Sequence, residues 1–228
     1  MQTNRKEIIA TADGSPSLFL PELKETYHSR HGAQTESDYV FLQKGLSHWL
    51  DLSDKSKSIH LLEVGFGTGL NAYLTFKAAV KQKLSIHYHS LEKFPLSISL
   101  LEQMQFDQFL GATASQSYFW PLHQAEWEVS TAISANFHLC KKEVGFEDFR
   151  TEQKYDIIFY DAFGAHAQPQ MWTAERMAQA ANLLRSGGVW VSYCAKGSVR
   201  RALEDAGLQV ERLPGPPGKR EMLRAIRP

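Results

Sequence analysis

The chain has 228 residues, of which 43% are hydrophobic, so it can enclose one sizeable α/β core with room for an appendage. Lysine plus arginine equals aspartate plus glutamate at 25 each, so the charge of the whole chain does not indicate a polyanionic partner. The two cysteines lack CxxC spacing, and no signal peptide or apolar span of ~18 residues is recognisable, so we expect a cytoplasmic protein without a disulfide framework or a zinc site.

The N-terminal part of the chain differs in pattern from the rest. Residues 6–27 predict a hairpin, with apolar runs on both sides of the turn signal at 13–15. Residues 36–51 predict an amphipathic helix, although Gly45 weakens that pattern. We interpret residues 1–58 as a cap that packs on a core formed by residues 59–228.

From residue 59 onward, apolar strand patterns alternate with helical ones. The predicted strands are IHLLEV, IHYHSLE, FHLCK, YDIIFYD and GGVWVSYC. This rhythm predicts a doubly wound α/β sheet of parallel strands, and QVERL with EMLRAIR predicts an antiparallel pair at its edge. In such sheets ligands bind beyond the carboxyl ends of the strands.

A glycine-rich turn follows the first strand of this sheet, in the stretch LLEVGFGTGLN. Gly65, Gly67 and Gly69 lie where the backbone must approach a ligand closely. A dinucleotide fingerprint would need glycine at position 70, which is leucine, and Glu63 would repel a phosphate. A pyrophosphate ligand is therefore disfavoured.

Two acids at strand ends favour S-adenosylmethionine as the ligand. Glu63 can accept hydrogen bonds from an ammonium group, and Glu92, at the end of the second strand, can accept them from both ribose hydroxyls. The alternative is that the glycines only turn a tight corner and that Glu92 is a solvated charge.

Four stretches together resemble the tRNA 5-methylaminomethyl-2-thiouridine methyltransferase family, from about Tyr27 to the end. They are EVGFGTGLN, LEKFPL, DAFGAHAQPQMW and GSVRRALEDAGLQVERLPGPPGKREML. The resemblance implies a class I, Rossmann-like methyltransferase fold with S-adenosylmethionine as cofactor. It implies methyl transfer to the exocyclic amine of 5-aminomethyl-(2-thio)uridine at the tRNA wobble position. Bifunctional members continue into a flavin-dependent oxidase domain, so we expect this chain to carry only the methylation step.

The resemblance also assigns binding residues. Besides Glu63, the glycines and Glu92, it places Phe66, Asn71 and Lys93 at the cofactor. An acid after the third strand often contacts the adenine in this fold, and of Glu143, Glu147 and Asp148 we favour Glu143, which lies nearest the strand end. In the cap, the resemblance places Tyr27, Arg30 and Glu36 beside the substrate.

The fourth strand ends in a carboxylate that suits amine chemistry. Asp161 can accept a hydrogen bond from the acceptor amine, orient its lone pair and stabilise the positive charge that grows on nitrogen. An ordinary aspartate pKa near ~3.9 makes it a weak base unless burial raises that pKa, so orientation is the role we assign. Phe163 can stack on an extruded pyrimidine, or it can simply pack under the loop.

The loop after this strand departs from the family in two places. Family members mostly have proline where this chain has Ala165, and many have lysine where it has Ala167, whereas Pro169 and Trp172 match. Loop shape and substrate affinity are therefore less firmly implied than the reaction.

The C-terminal part of the chain is basic. From residue 196 onward eight basic residues face four acidic ones, which leaves +4 there and -4 in residues 1–195. Arg200, Arg201, Lys219 and Arg220 are the candidates for contacts with tRNA phosphates. The alternatives are a solvated surface and, for Lys219 and Arg220, a rigid hairpin tip.

The remaining expectations concern partners and rival functions. We expect a monomer that binds the anticodon stem-loop of tRNA, with no membrane and no metal, and with a functional link to upstream wobble-uridine modification enzymes. His28 and His31 lack a third ligand for a metal site. The rival functions are a polyamine-synthase-like aminopropyltransferase, a small-molecule amine methyltransferase and a non-catalytic nucleoside-binding scaffold.

Overall fold

The computed structural model describes residues 5–53, 58–109 and 118–228. The strands in these ranges are β1 (Glu7–Ala10), β2 (Pro16–Leu20), β3 (Glu25–Thr26), β4 (Ile59–Val64), β5 (Ile86–Leu91), β6 (Ser130–Ser134), β7 (Phe137–Lys142), β8 (Tyr155–Tyr160), β9 (Leu184–Ser192), β10 (Gln209–Pro214) and β11 (Glu221–Ile226).

The helices lie between these strands. They are α1 (Ala33–Ser37), a π-helical segment (Asp38–Ser47), α2 (His48–Leu52), α3 (Leu70–Gln82), α4 (Ile98–Met104), α5 (Phe106–Phe109), α6 (Phe119–Gln124), a 3-10 turn (Pro169–Trp172), α7 (Ala174–Leu183) and α8 (Gly197–Asp205). None of the helices that the structure describes is long and apolar enough to cross a membrane.

The main sheet has eight strands in the order β10-β11-β9-β8-β4-β5-β7-β6. Its five central strands are parallel, and the pairs β10-β11 and β6-β7 are antiparallel at its two edges. The central strands are almost wholly buried because helices cover the sheet, which is why they read as continuous apolar runs. The predicted doubly wound sheet with an antiparallel edge pair is confirmed, while β6 was not predicted.

The first strands form a separate small sheet. β1 and β2 pair antiparallel around a turn in which Asp13 accepts hydrogen bonds from Thr11 and Ser15, so the predicted hairpin is confirmed. β3 adds a third strand to β2, which the sequence did not indicate. Tyr27 and His28 follow β3 directly, so this sheet carries them to the carboxyl edge of the main sheet.

The predicted cap helix is present, from residue 33 to residue 52. Gly45 lies in its π-helical middle, where an added Cβ would meet Val191 at 2.9 Å and Phe159 at 3.0 Å. The glycine that weakened the helical pattern therefore allows the helix to pack closely on β8 and β9. This helix shares one apolar core with the main sheet. The boundary between a cap (residues 1–58) and a core (residues 59–228) therefore stays a prediction from the sequence.

Strand order places the site. β4 lies between β5 and β8. The strand that follows β4 in the chain, β5, pairs with one side of β4, and the later strand β8 pairs with the opposite side. The carboxyl ends of β4 and β8 adjoin, and the backbone N–H of Asp161 donates to the carbonyl of Val64 at 3.0 Å. Such a point of reversal is where doubly wound sheets bind ligands.

Candidate functional site

The glycine-rich turn lies between β4 and α3 in a conformation that side chains resist. Gly65, Gly67 and Gly69 have φ of +98°, +52° and +71°. A Cβ on Gly65 would lie 2.7 Å from the carbonyl oxygen of Asp161, and one on Gly69 would lie 2.8 Å from the His123 ring. Contacts within the protein therefore already require these glycines. The evidence for a ligand lies in the cavity above them.

That cavity, the loop cavity, has a volume of about 360 Å³ and lies over the glycine turn. Its walls include Gly65, Phe66, Gly67, Asn71, Glu92, Lys93, Phe94, Asp161 and Phe163. The ends of β4, β5 and β8 thus contribute to one concave surface, as the sequence predicted.

Glu63 does not reach the wall of the loop cavity, so its predicted contact with an ammonium group is not supported. The side chain is fully buried beneath the turn, where its Oε2 accepts a hydrogen bond from Ser90 at 2.5 Å and its Oε1 has no hydrogen-bond partner. The side chains of a strand alternate, and that of Glu63 points into the core between β4 and α3. Burial is the main cause that raises the pKa of Glu63 to about 8, with Asp161 adding to it.

The buried acid makes stability depend on pH. The folded-state pKa of Glu63 lies above its ordinary value. The contribution of the protonated side chain to the free energy of unfolding is therefore fully present below pH ~4.5 and is lost as pH rises through about 8. Between those values each pH unit costs at most ~1.4 kcal/mol. Glu63→Gln is expected to flatten the fall in unfolding free energy between pH 5 and 8.5, measured by denaturant titration. Glu102→Gln on exposed α4 should keep the wild-type slope, and an equally steep slope in Glu63→Gln would contradict the assignment.

Glu92 lies on the cavity wall at the end of β5. Its Oε2 accepts the backbone N–H of Gly67 at 3.0 Å, and its Oε1 accepts that of Phe94 at 2.9 Å. Each carboxylate oxygen has a second lone pair, so the side chain is held in place and can still accept from a diol. Lys93 forms an ion pair with Glu147 across the same cavity.

Asn71 and Asp161 meet at the floor of the loop cavity. Asn71 donates from Nδ2 to Oδ2 of Asp161 at 2.8 Å, and Asn71 Oδ1 is buried without a hydrogen-bond partner. Burial, with a further contribution from Glu36, raises the pKa of Asp161 to about 7. The condition under which this aspartate becomes a useful base is therefore met, which the sequence could not establish.

Glu143 does not line the loop cavity, so its predicted contact with the adenine is not supported. β7 ends at Lys142, and Glu143 is exposed, with its backbone N–H donating to Glu128 at 2.8 Å. The chain then turns inward at Gly145, so Glu147 is the acid of this segment that lines the loop cavity. The turn that follows the strand, which the sequence did not predict, decides between Glu143 and Glu147.

A second cavity, the cap cavity, adjoins the first and has a volume of about 640 Å³. The two share Tyr27, His28, Asp161, Ala162 and Phe163. The rings of Tyr27 and Phe163 meet edge to face at 5.0 Å, so an aromatic pair and a carboxylate form the boundary between the cavities. Two adjoining cavities with one carboxylate between them suit a transfer between two ligands.

Charged residues from the cap and the β10-β11 loop close the cap cavity. Lys219 Nζ donates to Glu36 Oε1 at 2.6 Å and lies 3.6 Å from the centroid of the Tyr193 ring. The His166 Nε2 atom lies 3.0 Å from a carboxylate oxygen of Glu25. Tyr193 was missed in the sequence, because a tyrosine at the end of an apolar strand gives no signal beyond core packing.

The other predicted substrate residues are only partly brought together. Arg220 lines the cap cavity with an exposed side chain, and Arg30, also exposed, lines it with its guanidinium 5.1 Å from the Phe19 ring. Arg200 and Arg201 are not among the residues that line either cavity, so their predicted contacts with tRNA phosphates stay a prediction about the surface outside the cavities. They lie on α8, where Arg200 pairs with Glu204 at 2.6 Å.

The two cap histidines have separate surroundings. His28 is held between Ser17 and Thr68, which lie 3.2 and 3.1 Å from its two ring nitrogens. His31 packs against Gly218 of the β10-β11 loop. The described ranges contain no group of three or more histidine, cysteine, aspartate or glutamate residues placed to hold a metal ion.

The loop cavity fits S-adenosylmethionine on its own chemistry. The turn offers backbone without side chains, and Glu92 offers a fixed acceptor for a diol. Asp161 places a carboxylate where a cationic centre would be stabilised.

Comparisons with known proteins agree with this chemistry. A family model described as S-adenosyl-L-methionine-dependent methyltransferase matches residues 112–228. The chain is 31% identical to the bifunctional protein MnmC for tRNA 5-methylaminomethyl-2-thiouridine biosynthesis from Pseudoalteromonas atlantica, over 99% of this chain and 34% of that protein. Its identity to MnmC from Idiomarina loihiensis is 32%, over 87% of this chain and 35% of that protein. The chain thus spans about a third of the length of these curated relatives.

Solved structures give the same result for the fold. MNMC2 from Aquifex aeolicus matches with a TM-score of 0.73 and 26% identity, over 100% of this chain and 73% of that one. Spermidine synthase from Thermotoga maritima matches with a TM-score of 0.53 and 11% identity, over 99% of this chain and 70% of that one, which reflects the fold alone.

Proposed function

Because the chain belongs to the S-adenosyl-L-methionine-dependent methyltransferases, and among them to the tRNA 5-methylaminomethyl-2-thiouridine methyltransferase family, we propose that it methylates the exocyclic amine of 5-aminomethyl-(2-thio)uridine at the tRNA wobble position. The observation that carries the proposal is the single carboxylate, Asp161, at the boundary between the loop cavity and the cap cavity. The loop cavity would take the cofactor, and the cap cavity would take the base.

Gly65, Gly67, Asn71, Glu92 and Asp161 would hold the cofactor. When bound, S-adenosylmethionine supplies a methyl group on a cationic sulfur that an amine can attack. Asp161 accepts a hydrogen bond from the amine, aims its lone pair and stabilises the ammonium that forms. Asn71 fixes the carboxylate through its 2.8 Å hydrogen bond. A pKa of about 7 for Asp161 lets the carboxylate accept the departing proton near neutral pH.

Phe163 and Tyr27 would hold the pyrimidine. Both residues line the cap cavity, and extruded RNA bases are commonly held against aromatic faces. The main-chain groups of Phe163 are fixed by Gln168 and by the Trp172 indole, at 3.0 and 2.8 Å. The loop that carries the Phe163 ring is therefore rigid, and Trp172 helps to hold this loop on the substrate side of the site.

Arg220, which is exposed, would meet a phosphate of the anticodon stem-loop at the mouth of the cap cavity. Lys219 could do so only by exchanging its ion pair with Glu36 for a phosphate. Arg220→Ala is expected to raise KM for tRNA by about 3- to 10-fold and to reduce the slope of log affinity against log salt by ~1, with little change in kcat. Filter binding and steady-state kinetics at several salt concentrations measure this. Lys81→Met, at an exposed position near the C-terminal end of α3, is the control, and an unchanged salt slope in Arg220→Ala would contradict the phosphate contact.

The test of function uses purified protein, S-adenosylmethionine with a labelled methyl group, and tRNA with 5-aminomethyluridine at the wobble position. We expect labelled 5-methylaminomethyluridine on nucleoside mass analysis, and none from tRNA lacking the aminomethyl group. No transfer at saturating cofactor would contradict the proposal. The protein is further proposed to work as a monomer in the cytoplasm, after the upstream enzymes that modify the wobble uridine.

An aminopropyltransferase is the rival that the assay should exclude. Such an enzyme needs several acids free to bind a polyamine. Of the acids that line the cap cavity, Glu36 and Glu221 are ion-paired within the protein, and Glu25 lies 3.0 Å from the His166 ring. Asp161, which is hydrogen-bonded to the Asn71 amide, is the remaining one. An assay arm with decarboxylated S-adenosylmethionine and putrescine is therefore expected to give no product.

A further inference from the structure

A third cavity, the rear cavity, lies behind the glycine turn and has a volume of about 540 Å³. It shares Phe66 and Gly67 with the loop cavity, and its other walls come from α4, α6 and the end of β7. Leu96, Ile98 and Leu101 make one side apolar. None of the functions proposed above uses this cavity.

A lysine is buried in the wall of the rear cavity. Lys141 is 1% exposed, and its Nζ donates to the carbonyl oxygen of His123 at 2.6 Å. The ammonium also lies 4.8 Å from the Trp127 ring centroid and 5.4 Å from that of Phe66. Within the described part of the chain no carboxylate lies within ion-pair distance of it.

The ammonium therefore keeps hydrogen-bonding capacity that the protein does not fill. An ammonium has three N–H donors, and one carbonyl oxygen and two ring faces are weak compensation for the loss of water. Burial accordingly lowers the pKa of Lys141 to about 8. A buried cation without a counter-charge, facing a cavity, is the complement of an anion.

We propose that the rear cavity binds a small aromatic carboxylate, with its carboxylate on Lys141 and its ring between the indole of Trp127 and the aliphatic side of the cavity. The carboxylate supplies the acceptors that the remaining N–H groups lack. The exposed Glu126 at the same cavity disfavours a second negative charge, so a monoanion is the ligand class.

The test uses 4-fluorobenzoate as the probe and fluorine NMR as the readout, with the whole chain and no cofactor or tRNA. Saturable one-to-one binding is expected, and Lys141→Met should weaken it at least ~10-fold because a charge-assisted pair is lost. Lys142→Met, which removes the neighbouring surface lysine paired with Glu128, should bind as the wild type does. Binding that survives in Lys141→Met, or no saturable binding to the wild type, overturns the proposal.

A second measurement needs no variant, in case Lys141→Met does not fold. In wild-type protein with nitrogen-15-labelled lysine, saturating 4-fluorobenzoate should move the titration of the Lys141 ammonium to higher pH, because a bound anion favours the charged form. An unmoved titration would show that the ammonium is satisfied by the protein alone, which overturns the proposal. Neither experiment involves methyl transfer, so the outcome is independent of the proposed function.

Discussion

Asp161→Asn is expected to lower kcat for methyl transfer by ~10²- to 10⁴-fold while cofactor affinity changes by less than ~10-fold. The amide keeps the shape of the carboxylate, but it carries no charge to stabilise the developing ammonium and cannot take its proton. Because the carboxylate lies at the boundary of the two cavities and is fixed by Asn71, the substitution should act on the chemical step. Single-turnover rates and binding of S-adenosylhomocysteine separate the two effects.

The pH dependence gives a second readout of the same variant. Burial and Glu36 raise the pKa of Asp161 to about 7, so in free enzyme the active carboxylate is lost as pH falls through that value. The acid limb of kcat/KM should include this titration, and Asp161→Asn should leave only the limb caused by protonation of the acceptor amine. Asp205→Asn at the exposed end of α8 is the control. A turnover number unchanged in Asp161→Asn would remove the residue from the mechanism.

Gly65→Ala is expected to weaken cofactor binding at least ~100-fold and to destabilise the protein by roughly 1–3 kcal/mol. The residue has φ of +98°, and a Cβ would lie 2.7 Å from the carbonyl oxygen of Asp161. The ends of β4 and β8 would have to separate, which moves both the turn and the carboxylate. Calorimetric titration with S-adenosylhomocysteine and denaturant unfolding measure the two losses.

Gly207→Ala is the matched control for this change. Gly207 has φ of +85°, but an added Cβ there meets nothing within 4 Å. It therefore carries the strain of a left-handed backbone without the collision, and cofactor binding should stay at the wild-type level. If Gly65→Ala bound the cofactor as tightly as Gly207→Ala, the close approach of β4 and β8 would not matter for the site.

The sequence predicted the strands correctly where the local pattern of apolar residues matches the burial of the strand. The parallel strands were readable because strands buried on both faces are continuous apolar runs, as YDIIFYD is. β6 escaped because its side chains lie at a half-exposed edge and STAIS contains no such run. The close packing of Gly45 on Val191 escaped for another reason, since it is a contact between distant segments.

The site was predictable to the level of strand ends. Gly65, Glu92 and Asp161 follow from the rule that ligands bind there, and they line one cavity. The direction of a side chain was not predictable. One residue of register in β4 separates the buried Glu63 from the wall, and the turn after β7 brings Glu147, four residues beyond Glu143, to the cavity. The ion pair of Glu36 with Lys219 joins residues 183 apart, and only the folded chain could reveal it.

The most direct test is a crystal structure of the protein with sinefungin, whose amine replaces the transferable methyl group. We expect the ligand over the glycine turn, its ribose on Glu92, and its amine within about 3 Å of an Asp161 carboxylate oxygen, facing the cap cavity. A ligand bound away from the turn, or an amine pointing away from the cap cavity with Asp161 out of reach, would contradict the proposed geometry of transfer.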